Sequence, residues 1–167
     1  YVEMMETFAA DYPEICKLEQ IGFTTDGRKL LAVKISDNVN DDEAEPEFLY
    51  TGMMHGDELV GGMVLLKLID HLLLNYGSDA QITNLIDTVQ IYINPFANPD
   101  GTYYGGNNTV ADAIRYNSQE IDLNRNYKDF IYGDHNDGNE YGTETALFMD
   151  YASNHKFVMS ANTHSGI

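Results

Sequence analysis

The chain has 167 residues, 43% of them hydrophobic, enough for one globular domain with its own core. Lys+Arg number 9 against 27 Asp+Glu, and the formal charge of −18 repels phosphate, so nucleic acid and anionic membrane are poor partners while a cationic ligand is electrostatically welcome. The one cysteine, Cys16, excludes an internal disulfide and a cysteine-rich zinc site, and no apolar run reaches the ~18 residues of a membrane span.

In chain order, residues 1 to 12 predict an amphipathic helix that Pro13 ends. The run KLEQIGFTTDGRKLLAVKIS, Lys17 to Ser36, reads as a hairpin turning at Asp26-Gly27. Asn40 to Glu47 is acidic and proline-bearing, the composition of a solvated loop. EFLYTGMM, Glu47 to Met54, is apolar and β-prone and delivers the chain to His55. From Asp57 to about Tyr76 the residues Leu59, Met63, Leu66 and Leu73 recur near helical spacing, with Val60, Val64 and Leu68 widening the face that packs on a sheet. Ser78 with Gln81 has capping-box spacing for a short helix ending near Ile86, and DTVQIYINP is a strand stopped by Pro95.

Residues 97 to 120 offer little periodicity and read as one long connection, of the kind that carries function or is disordered. Tyr132 to Gly142 is a second loop, whose acids lack the alternate spacing of a calcium loop. A helix from Thr143 to about Asn154 and a strand FVMSANTH complete the chain. Strands alternating with helices imply an α/β sandwich around a largely parallel or mixed sheet.

His55 and Glu58 fall at a predicted strand-to-helix junction, the sheet edge where ligand sites gather, with Gly56 allowing a sharp bend between them. A solvated helix start explains the same pair without any ligand. His164 ends another predicted strand, where an ordinary strand-end histidine is the plain alternative. Together, two histidines and one carboxylate are the three-ligand set of catalytic zinc, leaving a fourth position to a water whose pKa falls to about 7. Of the three arginines in the chain, Arg115 and Arg125 stand close together around IDLNRNY, in the long connection. Arginine grips a carboxylate through two parallel hydrogen bonds and keeps its charge, so one can read a substrate carboxylate and another stabilise an oxyanion; structural ion pairs are the competing reading.

In their order, HGDE, NPDG at Asn98 to Gly101, DLNRN and SANTHSG resemble the motifs of the zinc metallocarboxypeptidases of the carboxypeptidase A, E and D type. MMHGDELVGGMVLLKLIDHLL, GTET at Gly142 to Thr145 and FVMSANTHSG are nearest the E, D and N branch, and the likeness runs from about Cys16 onward. The resemblance implies a three-layer α/β sandwich with a mixed, largely parallel sheet, and hydrolysis of the last peptide bond of a peptide or protein. It implies one Zn²⁺ per chain held by His55, Glu58 and His164, with Asp122 holding the imidazole of His55 in its metal-binding tautomer. It further implies that Asn124 and Arg125 bind the terminal carboxylate and that Arg115 polarises the scissile carbonyl. Peptide or protein C-termini are then the partners, and a secreted or periplasmic location follows from the same likeness, with Asn107 to Thr109 a glycosylation pattern.

Two departures stand out. Gly61-Gly62 replaces the Gly-Arg common in this branch, and the family's general-base glutamate, substrate tyrosine and side-chain pocket fall beyond Ile167. Residues 1–167 are therefore expected to be the N-terminal part of a single catalytic domain. A zinc deacylase of N-acyl amino acids shares a His-x-x-Glu pair and an Asp-Leu-Asn-Arg stretch and is the nearest competing enzyme; a peptide-binding pseudoenzyme is the non-catalytic alternative.

Overall fold

The computed structural model describes residues 1–129, 131–135 and 137–165. Helix α1 (Val2–Asp11) is followed by strands β1 (Cys16–Phe23) and β2 (Lys29–Ile35), whose turn needs the positive φ of 78° that Gly27 supplies without steric cost. The hairpin pairs Cys16 with Ile35 and Phe23 with Lys29, and a bulge between Gln20 and Gly22 shifts its register. After the acidic loop come β3 (Glu47–Gly52), α2 (Leu59–Asn75), α3 (Ala80–Ile86) and β4 (Gln90–Asn94). One helical turn, α4 (Pro99–Thr102), interrupts the long connection, and α5 (Thr143–Ser153) leads into β5 (Phe157–Thr163).

The five strands lie in the order β1-β2-β4-β3-β5. β2 runs antiparallel to β1 and to β4, whereas β3 runs parallel to both β4 and β5, so the sheet is mixed. Helices cover both faces. Leu31, Val33 and Ile35 of β2 face the larger core with Met5 of α1 and Leu65, Ile69 and Leu72 of α2, while the alternate residue Leu30 meets Phe148 of α5 on the other face. The result is the expected three-layer α/β sandwich. Each fully buried aliphatic side chain contributes about 1.5–3 kcal/mol.

Two local expectations change. Helix α2 buries Gly61, Gly62, Leu65, Leu66, Ile69, Leu72 and Leu73, and leaves Val60, Met63 and Val64 exposed. Its first turns are apolar all round, so spacing alone could not choose the face; the two glycines choose it by permitting close approach to the sheet. Helix α3 is capped by Asp79, whose Oδ1 accepts from the amides of Gln81 and Ile82, while the Ser78 hydroxyl donates backwards to the Asn75 carbonyl. Among the described residues no single helix is long and apolar enough to cross a membrane.

Candidate metal and carboxylate site

β3 and β5 are parallel neighbours in a register that sets Gly52 beside Thr163. Their carboxyl ends leave the sheet together, so the turn that carries His55 and the end that carries His164 emerge at one edge, the usual place for a ligand site in an α/β sheet. Met53 makes the turn at φ 52°, in the left-handed region that costs a residue with a Cβ, and its side chain is fully buried. That conformation is held from several sides. Met53 lies over Gly62, where an added Cβ would fall 2.3 Å from its Sδ, and the Ala97 amide donates to the Gly52 carbonyl at 2.9 Å.

Glu58 occupies the N-cap position of α2, yet its side chain makes no capping bond. It turns inward instead. Oε1 lies 2.9 Å from Nδ1 of His55, and Oε2 lies 2.8 Å from Nδ1 of His164 and accepts from the Ser165 amide at 3.1 Å. The carboxylate is therefore not the solvated helix start that its sequence position also allowed; it is 13% exposed, against 3% for His55 and 37% for His164. Burial by itself would raise the Glu58 pKa, but hydrogen bonds from His55, His164 and the Ser165 amide outweigh it and hold the carboxyl below its ordinary value.

One donor atom from each of His55, Glu58 and His164 lies within 4.8 Å of the others. A tetrahedral zinc with bonds of ~2.0–2.2 Å needs donors about 3.3–3.5 Å apart. Two histidines and one carboxylate are the composition of a catalytic rather than a closed structural zinc site.

Asp122 lies behind His55, with Oδ1 3.2 Å from Nε2. Its Oδ2 accepts two bonds from Arg115, from Nε at 3.0 Å and from Nη2 at 2.9 Å, while Nη1 of the same guanidinium lies 3.3 Å from Nδ1 of His55. Burial works to raise the Asp122 pKa, and the bonds from Arg115 and then His55 bring it below the ordinary value. Arg115 is thus a structural ion pair with one arm turned toward the histidine. Asn124 and Arg125 make no hydrogen bond to the trio among the described residues. They stand exposed on the 3-10 turn Leu123–Arg125, which Asp122 caps by accepting from the Asn124 amide, and the only bond made by the Arg125 side chain among the described residues is to the Asn124 carbonyl at 3.0 Å.

The motif NPDG supplies a further participant, to which the sequence assigned no role. Asn98 is fully buried, and its Nδ2 donates to the carbonyls of Met54 and Arg115 at 3.3 and 3.2 Å, tying the strand end that leads to His55 to the segment that leads to Arg115. The Gly56 amide reinforces the tie through the Arg115 carbonyl at 3.3 Å. NPDG anchors the neighbouring loops as well: Asp100, also buried, accepts from Thr24, the Asp26 amide, Arg28 and Ser118. The legible signal was Asn before Pro, a helix-capping pattern, but its partners lie far away in the sequence.

The carboxypeptidases D of Anas platyrhynchos and Homo sapiens are each 38% identical over 164 residues, 97% of this chain, and carboxypeptidase M of Mus musculus is 37% identical over 177 residues, 98% of this chain. The chain spans 12% of either carboxypeptidase D and 38% of carboxypeptidase M. Among solved structures, carboxypeptidase A from Helicoverpa armigera superposes with a TM-score of 0.80 at 21% identity, over 98% of this chain and 44% of that one. Thrombin activatable fibrinolysis inhibitor superposes at 0.82 with 20% identity, over 97% of this chain and 45% of that one. These two likenesses establish the fold. The sequence profile described as zinc carboxypeptidase matches residues 1–167, and the chain belongs to that family.

Proposed function

We propose that the protein takes part in zinc-dependent hydrolysis of the C-terminal peptide bond of peptides or proteins, with residues 1–167 contributing the metal ligands and arginines of one catalytic domain. The observation that carries the reading is Glu58, which bridges His55 and His164 at 2.9 and 2.8 Å at the edge of the sheet. His55, Glu58 and His164 would hold one zinc, which when bound supplies Lewis acidity toward a carbonyl and an activated water. Asp122 accepts from Nε2 of His55, so Nδ1, which faces the Glu58 carboxylate, would be the ligating nitrogen once its proton leaves. Arg115, clamped on Asp122, holds a positive charge beside the same imidazole, where negative charge develops on a scissile carbonyl. Asn124 and Arg125, exposed on the next turn, bind the free terminal carboxylate; Arg125 has no carboxylate partner among the described residues and keeps its two-pronged face available. Membership of the carboxypeptidase family weighs against the deacylase alternative.

Elemental analysis after dialysis against dilute zinc tests the site. One zinc per chain, lost in His164→Ala, is the expected outcome; a folded wild-type chain that retains none overturns the ligand assignment. In a turnover assay, Arg125→Ala should abolish the preference for free-carboxylate over amidated peptides, and an unchanged preference removes the clamp. The charge of −18 favours cationic substrates, so Lys and Arg are expected to be released faster than Leu and Phe.

A further inference from the structure

The segment between Arg115 and Asp122 is a tight turn whose geometry decides whether the two side chains can meet. Asn117, 1% exposed, organises it: Oδ1 accepts from the amides of Gln119 and Ile121, both at 3.0 Å, and its own amide donates to the Ile121 carbonyl at 3.1 Å. Glu120 takes φ 61° to close the turn. Asn117 in turn donates from Nδ2 to Oε2 of Glu144 at 2.7 Å. Glu144 lies in the first turn of α5, is fully buried, and has no partner on Oε1 among the described residues.

A buried carboxyl with one side-chain partner is a poor stabiliser. Its desolvation costs more than the bonds from Asn117 and its own amide return, and an apolar residue would pack there more favourably. Burial also pushes the Glu144 pKa up, with the Asn117 bond opposing it. Asp100, a buried carboxylate of α4 that accepts from Ser118 of this turn, differs in that four donors satisfy it. Glu144 gives the Asn117 Nδ2 its shorter bond, 2.7 Å against 3.4 Å to Gln119 Oε1, and so fixes the orientation of the amide together with the two backbone donors on Oδ1.

We infer that Glu144 is a positioning residue: through Asn117 it shapes the turn that brings the Arg115 fork onto Asp122 and so holds that carboxylate against Nε2 of His55. The inference rests on the proposed zinc site for its metal arm only. Its test uses Glu144→Ala and Glu144→Gln and reads two quantities on folded protein: the nitrogen-15 signature of a His55 proton held on Nε2, measured without metal, and zinc affinity by chelator competition. Glu144→Ala should lose the Nε2–H signature and bind zinc about 10-fold more weakly, the smaller end of the effect of disturbing a ligand's support. Glu144→Gln, which still accepts from Asn117, should restore both.

If Glu144→Ala does not fold, Glu144→Asp replaces it, since withdrawing the carboxylate by one methylene breaks the same contact. A folded Ala or Asp variant with the wild-type tautomer signature overturns the inference, as does a Gln variant that fails to rescue. Wild-type protein that shows the signature but binds no zinc instead overturns the metal site and leaves the positioning role to be read from the signature.

Discussion

Nε2 of His55 lies 3.2 Å from Oδ1 of Asp122, a contact between residues 67 positions apart in the sequence. The same carboxylate takes a two-pronged bond from Arg115 on its other oxygen, so it is oriented before any ligand arrives. A histidine held in this way presents the opposite ring nitrogen with a fixed tautomer and direction, and that is worth affinity to a metal.

Asp122→Asn is expected to weaken zinc binding by ~10–100-fold while leaving the fold intact, because the amide keeps the shape but loses the charge that both Arg115 and His55 use. Chelator competition on wild type and variant measures it. Equal affinities would mean that His55 needs no such support.

Gly56→Ala should be among the most damaging single changes in the chain. An added Cβ would stand 2.4 Å from the Gly101 carbonyl carbon and the Thr102 nitrogen and 2.6 Å from the Ile114 carbonyl oxygen, all backbone atoms with no rotamer to yield. We expect a loss of about 3 kcal/mol or more, measured by urea denaturation. A change below ~1 kcal/mol would show that the NPDG turn can move away from the His55 turn at small cost.

Met53 sets two effects against each other. Replacing it removes a fully buried side chain, at a cost of about 2–5 kcal/mol. Glycine also relieves the φ of 52°, whereas alanine does not. Both Met53→Gly and Met53→Ala should therefore destabilise, with the glycine variant the more stable by about 1 kcal/mol. Denaturation midpoints that place alanine level with or above glycine would count against strain at this turn.

Two carboxyls should shape the pH dependence of stability in opposite directions. Asp137 is lowered to about 2 by bonds from the Asn139 amide, Asn126 and His135. Its contribution is full above its ordinary pKa and is lost as pH falls from there through about 2, and Asp137→Asn should remove that acid-side slope. Glu144 is raised, chiefly by burial, with Asp100 and Asp26 adding to the effect and Asn117 opposing it. A raised acid binds more protons folded than unfolded, so stability is greatest below its unfolded pKa and falls as pH rises through the folded one. Glu144→Gln should flatten that limb and gain relative to wild type at neutral pH. Thermal midpoints recorded across pH for the three proteins separate the two slopes, and an unchanged profile in either variant removes its assignment.

Local signals placed nearly every element. Glycine at the Asp26-Gly27 turn, proline after α1 and β4, and the β-prone runs before His55 and before His164 each act over a few residues, so their physics is visible in sequence. That His55, Glu58 and His164 come together was expected from the family resemblance, since the local patterns each had a plain alternative. The exposed side of α2 was not legible, since its first turns are apolar all round and only contact with the sheet chooses a face. Nor was the role of Asn98, or that of Glu144, because a buried polar group is meaningful only with its partner, and these partners lie 17 and 27 residues away. The chain by itself determined which residues can ligate, turn and pack. The tertiary structure decided which meet, because the parallel pairing of β3 with β5 sets the distance between His55 and His164, a non-local quantity that no spacing along the chain encodes.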